Sequence, residues 1–158
     1  MRRAERRILA FLSGLVLYAL AVALGRELGG MGLVPGSVRA ALGGAGSTAV
    51  LLLEALIYAL PVFVLALAWA FITVRPWRKS RNTLTAWCLG GVALAWLAWL
   101  FYGVISFATQ PPEVTVSISR MLFSPTMPPL FGVQFPAAIV AGVLLAGLLA
   151  QRAKTPSV

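Results

Sequence analysis

The sequence predicts an all-helical integral membrane protein, folded as a single bundle of four transmembrane helices. Of its 158 residues, 60% are hydrophobic and 11% are charged, a composition too apolar for a soluble domain of this size. The apolar residues are also grouped into four long runs, separated by segments rich in charge, proline or glycine. A helix of ~20 apolar residues is long enough to cross a bilayer. The four runs therefore predict four membrane crossings.

Predicted element boundaries follow the apolar runs and the breaks between them. The four helices are predicted at about 8–25, 47–74, 84–109 and 130–150, joined by outer loops at 26–46 and 110–129 and by a short basic turn at 75–83. The first run follows Arg2, Arg3, Arg6 and Arg7, as in a signal anchor. Its Ala21-Val22-Ala23 also fits a signal-peptide cleavage site, but we expect the segment to be retained as the first helix.

The second predicted helix, from Ser47 to Val74, is the longest and holds two unusual residues. At 1.5 Å per residue it would extend roughly 40 Å, beyond the ~30 Å hydrocarbon core, so tilt or a kink is expected. Pro61 removes one helical hydrogen bond and is the predicted kink or hinge. Such kinks line cavities in some proteins and in most simply fit the neighbouring helices. Glu54 is an acid within the apolar run.

The two outer loops differ in their sequence pattern. In the first, Pro35-Gly36 is a turn signal, and Ser37 is a candidate N-cap for one or two helical turns at the membrane interface; a loop without helix is the alternative. In the second, Val114, Val116 and Ile118 alternate with small polar residues. This period of two predicts a short extended segment.

The distribution of cations predicts the orientation of the bundle. Ten lie on one side: Arg2, Arg3, Arg6, Arg7, Arg75, Arg78, Lys79, Arg81, Arg152 and Lys154; three lie on the other: Arg26, Arg39 and Arg120. The positive-inside rule then places both termini in the cytoplasm, and we expect a multi-pass protein of the bacterial inner membrane. Basic residues at the ends of apolar runs favour anionic lipids as partners, and no nucleic-acid partner is expected.

Missing residue types restrict the chemistry. The chain contains no His and no Asp, and Cys88 is its single cysteine. Ligand sets for zinc, haem or di-iron centres, paired thiols and the common catalytic bases therefore cannot be assembled in the usual way. We expect no metal, no cofactor and no enzymatic activity.

A polar cluster is predicted near the outer boundary of the membrane, around Glu54. Counting ~20 residues outward along each helix brings five polar side chains to a similar level: Arg26, Glu54, Tyr102, Ser106 and Gln134. Tyr58 lies one turn deeper on the same face of its helix as Glu54. The favoured interpretation is an ion pair of Arg26 with Glu54 that joins the first two helices. An ion or proton site and a charge that docks a partner are the alternatives, since ionisable groups in membrane helices are often functional.

Small residues and tryptophans indicate helix packing or partner docking. Helices in lipid associate where small side chains allow close approach, and the sequence offers Ala138, Gly142, Ala146 and Ala150 on the last helix and Gly90 and Gly91 on the third. Trp96 and Trp99 lie near the middle of the third helix. Their indole N–H groups need acceptors, which favours positions facing protein.

These features predict a non-enzymatic accessory, scaffold or assembly subunit that binds other membrane or periplasmic proteins. One alternative is a homo-oligomeric channel or ion-coupled carrier that uses Glu54, with Tyr58 and Pro61 along the path. A second alternative is an immunity protein that blocks a membrane-acting toxin.

Overall fold

The computed structural model describes residues 3–44, 47–74, 81–109 and 134–152. Throughout these ranges the regular structure is α-helical and no strand is present, which confirms the all-helical prediction for this part of the chain. The helices are α1 (Arg3–Gly30), α2 (Gly36–Ala41), α3 (Thr48–Val74), α4 (Arg81–Ala108) and α5 (Gln134–Arg152). The predicted extended segment within 110–129 and most of the basic turn lie outside the described residues.

Three helices are long and apolar enough to cross a membrane. Their spans are Arg3–Leu28, Thr48–Thr73 and Asn82–Tyr102, and an 18-residue stretch within each has a mean hydropathy of 2.4, 2.5 and 1.8, respectively. The apolar part of α5, Phe135–Leu149, is shorter. The chain is therefore compatible with a multi-pass membrane protein.

The long helices differ from their predicted bounds mainly at α1. This helix extends past the predicted 8–25 at both ends, because Arg and Glu are good helix formers and continue the helix beyond the apolar run. Pro61 lies inside α3 without ending it, as expected where neighbouring helices support a proline in a membrane helix.

The helices pack as two pairs. α1 makes its most extensive contacts with α4, and α3 with α5, while α1 and α3 join the two pairs. On α3 the core residues recur every fourth position and form one face of the helix: Tyr58, Val62, Ala66 and Ala70. Leu17, Tyr18, Phe135 and Ile139 fill the space opposite and are fully buried.

Glycines set the closest helix contacts. A Cβ on Gly14 would collide with the backbone carbonyl of Cys88, and a Cβ on Gly91 would collide with that of Phe11. On the other pair, a Cβ on Gly142 would lie 2.8 Å from the carbonyl oxygen of Phe63. Both pairs of helices are therefore in backbone contact, the arrangement that small residues permit in membranes.

The segment between α1 and α3 contains the short helix α2, one of the two alternatives left open by the sequence. Pro35 is its N-cap, with φ −58° and ψ 145°, and gives no side-chain cap; Ser37 lies inside the helix, which corrects its predicted capping role. Since proline fixes φ near −65°, the chain enters the helix already constrained. Ser47 instead caps α3, since its Oγ accepts the N–H of Val50 at 3.3 Å.

Candidate functional site: an ion pair between α2 and α3

Glu54 lies in the second turn of α3 and is 7% exposed. Among the residues that the structure describes, it is the one charged residue that is buried. A buried carboxylate needs a compensating charge or hydrogen bonds. Its partner therefore decides what the site can do.

The partner is Arg39 on α2. Its Nη2 lies 2.8 Å from Oε1 of Glu54, and the two side chains are 32% and 9% exposed. This contact is a charge-assisted hydrogen bond, with Arg39 donating to the carboxylate. The structure thus corrects the predicted pairing with Arg26. The side chain of Arg26 is exposed, about one turn before the end of α1.

Backbone geometry holds Arg39 in place. The N–H of Gly44 donates to the carbonyl of Arg39 at 2.8 Å, and the N–H of Gly43 donates to that of Ala40 at 3.2 Å. These two bonds form a Schellman motif, which ends a helix with a residue in the left-handed region. Gly43 and Gly44 have φ of 92° and 90°, values that residues with a Cβ rarely adopt.

A side-chain hydrogen bond of Ser47 also connects the same loop to the start of α3. The Oγ of Ser47 donates to the carbonyl of Leu42 at 2.6 Å while it also caps the helix. α2 is thereby fixed to α3 at two points, one through Ser47 and one through Glu54. The ion pair closes the turn between them.

Beneath the ion pair the bundle is filled with apolar and aromatic side chains. Tyr58 lies one turn further along the same face of α3 as Glu54 and is 1% exposed. Tyr18 on α1 is equally buried, and its hydroxyl has no hydrogen-bond partner among the described residues. The sequence analysis did not single out Tyr18; its position as a hydroxyl in the middle of an apolar run was the available signal.

The other predicted members of the polar cluster lie apart from Glu54 or outside the description. Tyr102 is exposed and packs edge-on against Trp99, with ring centroids 6.0 Å apart and planes at 89°. The side chains of Ser106 and Gln134 are not among those described. Pro61 is half-buried in the continuous helix α3.

The predicted packing residues are divided between core and surface. Ala138, Gly142 and Ala146 are buried on α5, with Gly142 against α3; the side chain of Ala150 is not described. Gly91 contacts α1, whereas a Cβ on Gly90 would still be 3.9 Å from the Phe11 ring. Trp96 packs against the core with its indole N–H buried and without a hydrogen-bond partner among the described residues.

The site can fix α2 to α3, and its one carboxylate, that of Glu54, is already bonded to Arg39. Among residues 3–44, 47–74, 81–109 and 134–152, no group of three His, Cys, Asp or Glu side chains is placed to hold a metal ion. The sequence analysis named only Arg26 as the partner of Glu54; the charge of Arg39, on the same predicted side as Arg26, was the available signal for the observed pair. No protein-family model, curated protein or solved structure shows significant similarity to the chain.

Proposed function

We propose that the chain is a non-enzymatic accessory, scaffold or assembly subunit of a membrane protein complex. In this proposal it crosses the bacterial inner membrane four times, with both termini in the cytoplasm, and binds other membrane or periplasmic proteins. α5 serves as the fourth crossing, together with the apolar residues that precede it in the sequence. The excess of cations beside the termini and the 75–83 turn supports this orientation.

The ion pair supports a structural role for Glu54 over a role in transport. A carrier needs an acid that can exchange its ion or proton with a path. Here the carboxylate is bonded to Arg39, and the adjacent core is filled by Tyr58, Val62 and Phe135. We therefore expect the residues that bind a partner protein to lie on the surface of the bundle.

The observation that carries the proposal is the outward face of α4. Only 22% of the apolar segment of α4 that could cross a membrane is buried within the chain, whereas 39% of the corresponding segment of α3 is buried. The face displays large side chains with substantial exposure: Trp87, Leu94, Leu97, Trp99, Phe101, Tyr102 and Ile105. Tryptophan and tyrosine supply much of the binding energy at protein interfaces, and Ala98, Trp99 and Tyr102 line a shallow depression there.

The test is the composition of the native complex, extracted in lipid nanodiscs through a tag on the C-terminal tail. A fixed stoichiometry with one or more different proteins is expected. In the double variant Trp99→Ala with Tyr102→Ala, the partner should be lost while the bundle stays folded. The control is Leu56→Ala with Leu60→Ala at two exposed apolar positions of α3, and it should keep the partner.

Two results would overturn the proposal. One is a chain that extracts only as a monomer or homo-oligomer. The other is equal loss of the partner from the α4 variant and the α3 control, because the α4 face would then contribute nothing particular.

A further inference from the structure

An open cleft of about 260 Å³ lies at the end of the bundle where α1 and α4 begin and α3 ends. α1 supplies Leu9, Ala10 and Ser13, α3 supplies Ile72, and α4 supplies Leu84 and Cys88. The cleft exists because α3 and α4 make little direct contact. All three lining helices are long and apolar enough to cross a membrane, so the cleft lies along membrane-length helices. We call it the basic-end cleft.

The two hydroxyl groups inside the basic-end cleft are hydrogen-bonded within the protein. The Oγ of Ser13 donates to the carbonyl of Ala10 at 3.0 Å and lies 3.7 Å from the Sγ of Cys88. The Oγ1 of Thr73 donates to the carbonyl of Trp69 at 2.8 Å. Because these donors are satisfied locally, the walls offer an occupant mainly apolar contact. A hydrocarbon chain suits such a surface better than a polar solute.

The mouth of the cleft is cationic. Arg6 lines it, and Arg3 and Arg7 lie in the same first turns of α1 with one acid, Glu5. From Arg6 to Ser13 the helix rises about 10 Å, at 1.5 Å per residue. The cleft thus has guanidinium groups at its mouth, at the end of the membrane span, and an apolar floor two turns deeper. A phospholipid has the same arrangement, with a charged phosphate at one end and an acyl chain that extends away from it.

We propose that the basic-end cleft binds one anionic phospholipid from the adjacent leaflet. An acyl chain lies along Leu9, Ala10 and Leu84, and the phosphate lies at Arg6. A zwitterionic lipid has the same hydrocarbon but carries no net charge, so Arg6 favours the anionic one. The proposal depends on the membrane location of the three long helices and does not require a protein partner.

The test is native mass spectrometry of the purified full-length chain with equal amounts of phosphatidylglycerol and phosphatidylcholine of identical acyl chains. One retained lipid is expected, with phosphatidylglycerol favoured about fivefold, the contribution of one arginine near an anionic surface. Ala10→Phe should abolish retention of both lipids by filling the cleft. Ala19→Phe, the same change at an exposed position of α1, should leave retention unchanged.

The charge is tested separately. Arg6→Gln should reduce the preference for phosphatidylglycerol to near equality, while Arg7→Gln, at an exposed position outside the cleft, should retain it. The proposal is overturned if the unmodified chain retains both lipids equally, or if Ala10→Phe retains lipid as Ala19→Phe does. It is also overturned if inorganic phosphate displaces the lipid, since the site would then bind a free anion. All these readouts use the isolated chain, so they are independent of whether a protein partner exists.

Discussion

Glu54 shows how a single residue is accommodated in an apolar helix. A lone carboxylate there would destabilise the bundle, but Arg39 donates to it from a loop that is itself held by glycines and by Ser47. Removing the carboxylate charge leaves the guanidinium without its counter-charge and weakens the hydrogen bond between them. The residue therefore acts by fixing α2 onto α3.

We predict that Glu54→Gln lowers the free energy of unfolding by about 1.5–3 kcal/mol, the contribution of a hydrogen bond to a charged group. The measurement is thermal unfolding in lipid nanodiscs, with hydrogen exchange of the α2 amides as a local readout. Both should change in Glu54→Gln. Glu27→Gln, at an exposed acid on α1, is the control and should change neither.

The double variant Arg39→Gln with Glu54→Gln sharpens this prediction. It should be more stable than the sum of the single changes implies, because no charge is left without a partner. A chain whose stability is unchanged by Glu54→Gln but whose ion flux in liposomes disappears would contradict the structural role and support a carrier.

At the scale of helices, the α1–α4 pair depends on backbone contact at Gly91. We predict that Gly91→Ala destabilises the bundle towards the upper end of about 1–3 kcal/mol, the usual range for overpacking, since its Cβ would collide with the carbonyl of Phe11. Gly90→Ala is the matched control, one residue away, where the nearest atom is 3.9 Å from the added Cβ. It should stabilise slightly through helix propensity. Equal unfolding temperatures for the two variants would contradict the observed contact.

The α3–α5 pair makes a parallel prediction. Gly142→Ala should destabilise, because its Cβ would lie 2.8 Å from the carbonyl oxygen of Phe63 and 3.0 Å from the Cβ of Ala66. Gly147→Ala lies on the same helix, and an added Cβ there would have no atom of another described element within 4 Å, so this change should be neutral or slightly stabilising. Thermal unfolding of the two variants measures the difference. A larger loss in Gly147→Ala would indicate that the open face of α5 is covered by a partner.

Helices were the part of the fold most accessible to sequence reasoning, because apolar runs and their length fix both their existence and their approximate bounds. The site was less accessible. Arg26 and Arg39 carry the same charge on the same predicted side, and the choice between them depends on how Gly43 and Gly44 turn the loop. The sequence contains those glycines, but the direction in which α2 places its side chains follows only from the three-dimensional packing.

For the whole molecule, the distribution of cations predicts that α2 lies on the side of the membrane opposite the start of α1. The single cysteine, Cys88, is buried, so introduced cysteines can be labelled with little background. Ser37→Cys, on exposed α2, should react with a membrane-impermeant maleimide in intact bacterial spheroplasts. Ala4→Cys, exposed at the start of α1, should react only after permeabilisation.

The two labelling patterns distinguish the possible arrangements because α1 separates the two positions by one membrane span. Reaction of Ala4→Cys alone in intact spheroplasts would reverse the orientation and contradict the positive-inside assignment. Reaction of both would contradict the crossing by α1 itself. With the predicted pattern, the Arg39–Glu54 ion pair would face the periplasm, and the basic-end cleft would open at the cytoplasmic leaflet, at the opposite end of α1.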